Sequence, residues 1–506
     1  MPSPSNGAYA AMISGPKKRE EVSSLMKSLR DDLDKNNLLP HQRNAALEQV
    51  KIYGRNVQDA DPIFAPEGIE TLARHGFSNS SPQTSREALR CLANALLLKP
   101  ATRQVFVDKG FAENAAEKLK VGRSPQPQLK LLGVAEPAQC DNADDEFLAS
   151  RILFLLTYDT NLNFDDLMKN NQLGDAIMQN VGRHSKRYKA SKKGGPTAQM
   201  EDMALSETLK LIFNLTHYYP DYNDTFSKCV PDLLKILHQA PIPNPPLQAP
   251  VNYLINALLN LDLEDKKSKN WGSSPVFPKF DQKCNVERLI NILDRSIVAY
   301  PETELDQLAA PLVTLLRRIY EFAPESVKKY MQWLLLPTED ERSKPLGKSD
   351  TLSSRLLNLS TAAMCPNLRG SISAMLFELS DKDASTFVHN VGYGFASGFL
   401  LSHNIAIPEN AMEAFSNQGQ HEEDGQDETS RSSTVNPITG QRYEDEEPST
   451  EPGMTMEEKE REAERLFVLF ERLKATGVVD IKNPVEDAIQ SGRIQELPDD
   501  ESASPD

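Results

Sequence analysis

The chain has 506 residues, of which 39% are hydrophobic and 25% are charged, as is typical of a folded protein with polar additions. Its formal net charge of −17 argues against nucleic acid or an anionic membrane surface as the main partner. The five cysteines lie far apart without a CxxC pair or Cys/His cluster, so we expect no disulfide framework, metal site or cofactor. The polar N-terminus is no signal peptide, and no apolar run approaches the ~18 residues of a membrane span. A cytoplasmic protein is therefore expected.

Helical periodicity dominates from about Glu20 to Ile405. Apolar residues at helical spacing between Val22 and Leu33 form one face of a first helix, and the same pattern recurs between Leu305 and Ile319, where Pro311 is expected to kink the helix. Sustained apolar/polar alternation is absent from the sequence, so strands are not needed. Proline-rich or polar breaks separate the helices at residues 124–139, 194–197, 240–250 and 266–278.

A weak internal repeat supports a stacked helical fold. Similar segments at residues 90–94, 151–155 and 210–214 recur about 60 residues apart, and residues 252–260 continue the series. Residues 355–358 resemble a last, degenerate copy. The predicted fold is therefore all-α, an armadillo/HEAT-like helical-repeat superhelix.

A polar stripe on these repeats is the candidate binding surface. Asn252, Asn256 and Asn260 lie at i, i+4 and i+8, away from the apolar face that contains Leu254 and Leu258. Asn is a poor residue in the middle of a helix, so its repeated use favours a role such as binding a peptide along a concave groove. The basic residues of the stripe suit a carboxylate-bearing ligand. The ten predicted groove residues are Lys51, Arg55, Arg90, Asn94, Arg151, Lys210, Asn214, Asn252, Asn256 and Asn260.

Two plainer interpretations of this stripe remain open. The asparagines could form a solvated face or bond to the ends of neighbouring helices. The cations could pair within the chain, with Glu48 or Glu87. For a single asparagine the plainer interpretation is favoured, whereas for the aligned set the binding interpretation is favoured.

The composition changes after Pro408. We predict a disordered N-terminus at 1–20, a solenoid at 21–408, an acidic and mostly disordered linker at 409–454, a C-terminal helical arm at 455–497 and an acidic tail at 498–506. The arm starts with a capping-box pattern at Thr455 and Glu458. Its apolar stripe is expected either to dock on the solenoid's own C-terminal end or to close over a bound partner. The arm residues predicted to contact a partner are Leu466, Phe467, Phe470 and Leu473.

Catalytic motifs are incomplete. Gly347-Lys348-Ser349 resembles the end of a phosphate-binding loop, but Arg342 stands where the first glycine is required. The glycines between Gly392 and Gly398 have the wrong spacing for a dinucleotide loop. HExxH and GxSxG do not occur. We therefore expect a protein that binds another protein and performs no covalent chemistry.

Several segments together resemble the synembryn family of G-protein regulators. The resemblance is carried by Ala310-Pro311-Leu312, Leu334-Leu335-Leu336-Pro337 and the run from Phe387 to Gly398. It continues through residues 435–440 and 454–460, and the N-terminal repeats at residues 50–55, 89–94 and 253–260 also fit. It thus spans most of the chain.

This resemblance implies a guanine nucleotide exchange factor and folding chaperone that is not itself an enzyme. Its partner would be the GDP-bound, nascent or nucleotide-free α-subunit of a heterotrimeric G protein, whose C-terminal helix would lie in the groove. The protein itself is expected to be a monomer. Recruitment to the plasma membrane would follow from that partner. In animal members of this family, phosphorylation of linker Ser or Thr residues that are followed by acidic residues activates the protein. No acidic residue closely follows the candidates Ser430, Ser432 and Ser433 in this chain, and the fourth candidate, Thr455, also serves as a helix cap. The resemblance therefore leaves phosphorylation of this linker in doubt. The alternative function is a passive armadillo-type peptide-binding scaffold or transport adaptor.

Overall fold

A computed structural model describes residues 14–77, 81–120, 140–190, 196–264, 274–406, 435–436 and 438–446, together with Arg461, Arg465 and Val468. These residues contain α-helices and short 3₁₀ helices, and the one pairing of extended backbone among them is an isolated antiparallel bridge between Val435 and Arg442. The prediction of an all-α fold is confirmed. The 3₁₀ helices are Pro220–Tyr222, Asp340–Ser343 and Tyr443–Asp445.

The α-helices follow each other closely along the chain. In order they are α1 (Pro16–Lys35), α2 (Pro40–Tyr53), α3 (Asp61–Phe64), α4 (Pro66–Phe77), α5 (Pro82–Leu98), α6 (Ala101–Asp108), α7 (Ala112–Leu119), α8 (Cys140–Leu156), α9 (Phe164–Asn170), α10 (Leu173–Ala190), α11 (Pro196–Tyr218), α12 (Asn223–Ser227), α13 (Val230–Gln239), α14 (Val251–Leu259), α15 (Cys284–Ala299), α16 (Glu302–Phe322), α17 (Glu325–Leu335), α18 (Leu352–Thr361), α19 (Pro366–Leu379), α20 (Ala384–Val391) and α21 (Tyr393–Ser402).

Most of these helices stack in two layers. Helices α2, α5, α8, α11, α14, α16 and α19 each pack on the next and form what we call the first layer. Helices α1, α4, α7, α10, α13 and α15 form the second layer and pack on their sequence neighbours in the first. This recurring pair of helices confirms a helical-repeat fold.

The apolar periodicity of the sequence determines which helix faces are buried. In α14 the predicted apolar-face residues Leu254 and Leu258, and Ala257 beside them, are at most 1% exposed. Burying a leucine side chain contributes roughly 1.5–3 kcal/mol, so the repeated stripes hold the layers together. Pro311 lies inside α16, and the kink expected there stays a prediction.

Two predicted boundaries differ from the structure. Helix α1 begins at Pro16, within the stretch predicted to precede the solenoid. Helix α11 begins at Pro196 and includes Thr197, so the predicted break at 194–197 is wrong at its C-terminal end. Proline suits the first turn of a helix, because its fixed φ is helical and its missing N–H would have no partner there. The predicted break at 240–250 is confirmed, whereas the break at 124–139 and residues 266–273 of the last break lie outside the described residues.

A short stretch from the predicted linker packs against the helices. Residues 438–442, which we call the docked segment, lie against the loop that contains Leu346 and the start of α21. Gly440 and Gln441 are buried there. The chain after residue 444 clusters as a second unit, of which few residues are described.

Candidate functional site

All ten predicted groove residues belong to first-layer helices or directly follow them. Lys51 lies in α2 and Arg55 just after it, and the others lie on α5, α8, α11 and α14 or cap the last of these. Because these helices are neighbours, the first layer carries one polar stripe across five consecutive helices.

The N-terminal half of the stripe lines a single depression of about 480 Å³. The predicted residues in its wall are Lys51, Arg55, Arg90, Asn94 and Arg151. The sequence analysis did not identify the apolar part of the wall, which includes Leu97, Leu98, Phe147 and Met203. Cations beside exposed apolar side chains form a surface that suits an amphipathic helix bearing carboxylates.

Glu87 neutralises part of the charge at one end of the depression. Its carboxylate accepts hydrogen bonds from Lys51 Nζ and Arg90 Nη1, each at 2.6 Å. Burial disfavours the charged form of Glu87, but the Lys51 hydrogen bond and the Arg90 charge outweigh that effect and lower the pKa of Glu87. Arg90 also pairs with Asp144 at 2.6 Å. The open alternative of intramolecular pairing with Glu87 is therefore realised for these two cations.

Glu207 has the same role for the next two helices. Its Oε1 accepts from Arg151 Nη1 at 2.9 Å and from Lys210 Nζ at 2.6 Å. The Lys210 ammonium also lies 5.1 Å from the ring centre of Phe154 and 5.2 Å from that of Tyr253. Neither Glu207 nor the two aromatic residues was predicted, although Glu207 lies three residues before Lys210 on the same helix and that spacing could have suggested it.

Three residues of the stripe have unused hydrogen-bonding capacity. Arg55 is exposed, Asn94 and Asn256 are half-buried, and none of the three side chains bonds to another group in the described part of the chain. An asparagine amide can donate two hydrogen bonds and a guanidinium five. These side chains can bind a partner without first breaking an internal contact.

Two asparagines of the stripe instead tie neighbouring helices together. Asn214 is buried, and its Nδ2 donates to Thr157 Oγ1 at 2.7 Å. Asn260 Nδ2 donates to the Phe213 carbonyl and to Thr216 Oγ1, both at 3.3 Å. These contacts correspond to the alternative in which asparagines bond to the ends of neighbouring helices.

Asn252 has only a local contact. Its Oδ1 accepts from the backbone N–H of Tyr253 at 2.9 Å. The amide nitrogen of Asn252 is not engaged in that bond, so this side chain keeps donors for a further partner.

A buried polar network lies behind Arg151 and Lys210. Glu146 on α8 is 2% exposed, and its Oε1 lies 3.0 Å from Nε2 of the fully buried His184 on α10. The same oxygen accepts from Thr208 Oγ1 on α11 at 2.8 Å, and Arg183 forms an ion pair with the Glu146 carboxylate. Burial raises the pKa of Glu146, but His184 and Arg183 outweigh it, so the pKa is lowered overall. The network thereby fixes the relative position of the helices that carry Arg151 and Lys210.

Gly347 and Gly392, which belong to the two incomplete catalytic motifs, lie in turns between helices. Gly347 lies with φ +86° in the loop before α18. Gly392 lies with φ +80° between α20 and α21, where no strand precedes it. Among the described residues no group of three or more His, Cys, Asp or Glu side chains is arranged to hold a metal ion. None of the helices in the described ranges is long and apolar enough to cross a membrane.

The predicted arm contacts and phosphorylation candidates are not part of the described structure. Leu466, Phe467, Phe470 and Leu473 lie outside the described residues, as do Ser430, Ser432, Ser433 and Thr455. The arm and its regulation therefore stay predictions.

Comparison with known proteins gives consistent relatives over most of the chain. The family model described as guanine nucleotide exchange factor synembryn matches residues 46–493. A synembryn-like chaperone of Schizosaccharomyces pombe is 26% identical over 421 residues, which cover 81% of this chain and 76% of that protein. Chaperone Ric-8A of Danio rerio is 24% identical, with 91% of this chain and 85% of the relative covered, and Chaperone Ric-8A of Xenopus tropicalis is 24% identical, with 92% and 86% covered.

Proposed function

The chain belongs to the synembryn family of guanine nucleotide exchange factors, and we propose that it exerts this activity by holding the C-terminal helix of a G-protein α-subunit in the depression of the first layer. Nucleotide exchange is the activity of the family, and the relatives that match over most of the chain are named chaperones. The resemblance stated from the sequence is confirmed at this level. The groove, the arm and the details of the partner are the parts that we propose.

The observation that carries the proposal is the combination of free polar donors and apolar side chains in one depression. Arg55 and Asn94 have no side-chain partner among the described residues, and Leu97, Leu98 and Met203 beside them are each more than 40% exposed. An amphipathic helix could place its apolar face on these three residues and its carboxylates on the cations.

We infer that the protein acts by selecting a conformation of its partner. Contacts that are stronger with the nucleotide-free α-subunit than with the GDP-bound form would shift the population toward release of GDP. Binding the C-terminal helix would loosen the nucleotide site from behind, and the predicted arm would stabilise the opened state. No bond is made or broken by the exchange factor in this scheme, and GTP binding to the α-subunit would end the complex. We place the activity in the cytoplasm, with membrane recruitment through the partner.

The first test is GDP release from a purified α-subunit. Release should accelerate with the intact protein, and a complex should form in the absence of nucleotide. The passive scaffold or adaptor would bind without changing the release rate. If the intact protein neither alters release nor forms the nucleotide-free complex, the proposed function is wrong.

A second test addresses the depression itself. Arg55→Ala should weaken the complex about tenfold, the effect of losing one charge-assisted hydrogen bond. Arg369→Ala is the matched control, because Arg369 on α19 is also exposed and does not line the depression. Equal affinities of the two variants would remove Arg55 from the site.

A further inference from the structure

We propose that the docked segment is an anchor, so that the predicted arm is tethered to the helical stack by the residues after 446 and not by all residues after 406. The inference rests on the proposed function, because it concerns how the arm is presented to the partner. Composition alone makes residues 409–454 one acidic linker, and the structure divides that linker at the docked segment.

The docked segment is attached by backbone hydrogen bonds. The Leu346 N–H donates to the Thr439 carbonyl at 3.0 Å, and the Gly394 N–H donates to the Ile438 carbonyl at 3.2 Å. In the reverse direction, the Arg442 N–H donates to the Arg342 carbonyl at 2.9 Å. Neither the Leu346 nor the Gly394 amide has another acceptor in the described part of the chain, so the docked segment satisfies groups of the helical stack that would otherwise need water.

Arg342 is the central side chain of this attachment. It is 2% exposed, and its guanidinium donates from Nη1 to the Gly440 carbonyl at 3.1 Å and from Nη2 to the Asn390 carbonyl at 3.2 Å. A buried guanidinium is costly unless its donors are paired, so removal of the docked segment would leave Nη1 without its acceptor. The Gln441 side chain adds a bond from Nε2 to the Ser343 carbonyl at 3.2 Å.

Two glycines permit the close approach. Gly440 has φ +70°, and a Cβ there would lie 2.3 Å from Leu346 Cδ1. Gly392 has φ +80°, and a Cβ there would lie 3.0 Å from the Ile438 carbonyl oxygen. Both positions combine a backbone conformation that favours glycine with a contact so close that a Cβ would force its neighbour to shift. The glycines from Gly392 to Gly398 do not have the spacing of a dinucleotide-binding loop. The first of them instead lies against the backbone of the docked segment.

The docked segment is also organised by its own residues. Asn436 Oδ1 accepts from the Ile438 N–H at 2.9 Å and from the Thr439 N–H at 3.3 Å. The Gly440 N–H donates to the Asn436 carbonyl at 2.8 Å, and the Asn436 N–H donates to the Gln441 carbonyl at 2.7 Å. A segment that holds its bound shape by local bonds loses less entropy when it docks.

The anchor changes the length of the tether between the stack and the predicted arm. Without it the connection would be residues 407–454, and with it the connection is residues 447–454, about six times shorter. The effective concentration of a tethered group falls roughly as the −3/2 power of tether length, so releasing the anchor should lower it on the order of tenfold. The same factor would appear in the affinity for a partner that is bound by both the depression and the arm.

The anchor is tested by Gly440→Val, with Gly398→Val as the matched control. The valine at 440 would clash with Leu346, whereas a Cβ at 398 in α21 meets no atom within 4 Å. Hydrogen exchange of the Leu346 and Gly394 amides should be slow in the intact protein and in Gly398→Val, and fast in Gly440→Val. Unchanged exchange at both amides in Gly440→Val would overturn the docking.

The tethering role is tested by measuring affinity with two proteins. One is the full-length protein, and the other is truncated after residue 446, which keeps the docked segment and removes the predicted arm. Gly440→Val should weaken the nucleotide-free complex about tenfold in the full-length protein and leave the truncated protein's affinity unchanged. An equal loss in both backgrounds, or no loss in full-length protein despite fast amide exchange, would overturn the tethering role. If intact protein forms no complex at all, the proposed function fails while the exchange measurement still decides whether the segment docks.

Discussion

Asn256 and Asn260 lie one helical turn apart in the same stripe, yet alanine should affect them in opposite ways. Asn260→Ala removes two donated hydrogen bonds, to the Phe213 carbonyl and to Thr216 Oγ1. Both bonds are long, at 3.3 Å, so we expect a loss of about 1–2 kcal/mol in the free energy of unfolding. Asn256 makes no internal side-chain bond in the described chain, and replacing a mid-helix asparagine by alanine gains up to about 0.7 kcal/mol of helix propensity.

For partner binding we expect the larger loss in Asn256→Ala, whereas for stability we expect it in Asn260→Ala. Asn256→Ala should weaken the nucleotide-free complex about fivefold, the effect of one neutral hydrogen bond, whereas Asn260→Ala should leave the affinity of the folded protein nearly unchanged. Urea unfolding followed by circular dichroism measures the first effect, and affinity for the nucleotide-free α-subunit measures the second. Equal affinities for Asn256→Ala and the unmodified protein would show that Asn256 belongs to a solvated face. A stabilised Asn260→Ala would refute the helix-joining role.

Further predictions concern the buried groups. Glu146→Ala should cost about 3 kcal/mol of unfolding free energy, because Arg183 and His184 would lose a buried carboxylate; a change below about 1 kcal/mol would contradict the network. The pKa of Glu146 is lowered in the folded state from its ordinary value of 4.5. Its contribution to the free energy of unfolding is therefore fully present above pH 4.5 and is lost as the pH falls through the folded pKa. The free energy of unfolding of Glu146→Gln should accordingly depend less on pH below 4.5 than that of the unmodified protein. Burial raises the pKa of Cys91 and Cys229 to about 12, so both thiols should react with a disulfide reagent at pH 8 only after unfolding, and rapid labelling of the native protein would be inconsistent with their burial.

Local periodicity was sufficient to predict the helices and their buried faces. Leu254 and Leu258 were assigned to the apolar face of one repeat from spacing alone, and both are at most 1% exposed in α14. Such patterns are readable because each helix must bury an apolar stripe whatever its neighbours are. The positions of the predicted groove residues on first-layer helices followed from the same spacing.

The partners of the polar residues could not be predicted in this way. Asn260 bonds to Thr216, 44 residues away, and Arg90 pairs with Asp144, 54 residues away. Periodicity states which face a side chain occupies but not which group of the next helix lies opposite. Only Glu87, which is three residues from Arg90, was identified beforehand, because that pairing is visible within one helix.

The docked segment shows a second limit of sequence reasoning. Its neighbourhood is acidic and poor in aliphatic residues, which is the composition of a disordered linker. Its order depends on Arg342, which lies 98 residues before Gly440 and is buried for reasons that composition does not reveal. Five residues with specific backbone partners do not change the average composition of a longer stretch.

The internal pairing of the basic stripe also changes how it can recognise a carboxylate. Lys51, Arg90, Arg151 and Lys210 are all paired with Glu87, Asp144 or Glu207, so four cations share three carboxylates in the free protein. A partner carboxylate at these positions competes with a carboxylate that is already bound, and Glu207 is itself buried, so the gain from each new ion pair is offset by the weakening of an existing one. The net gain is then expected from groups that have no side-chain partner in the part of the chain that the structure describes. Selectivity for a partner helix is therefore expected to depend on Arg55, Asn94 and Asn256 and on the apolar wall, more than on the number of basic residues in the stripe.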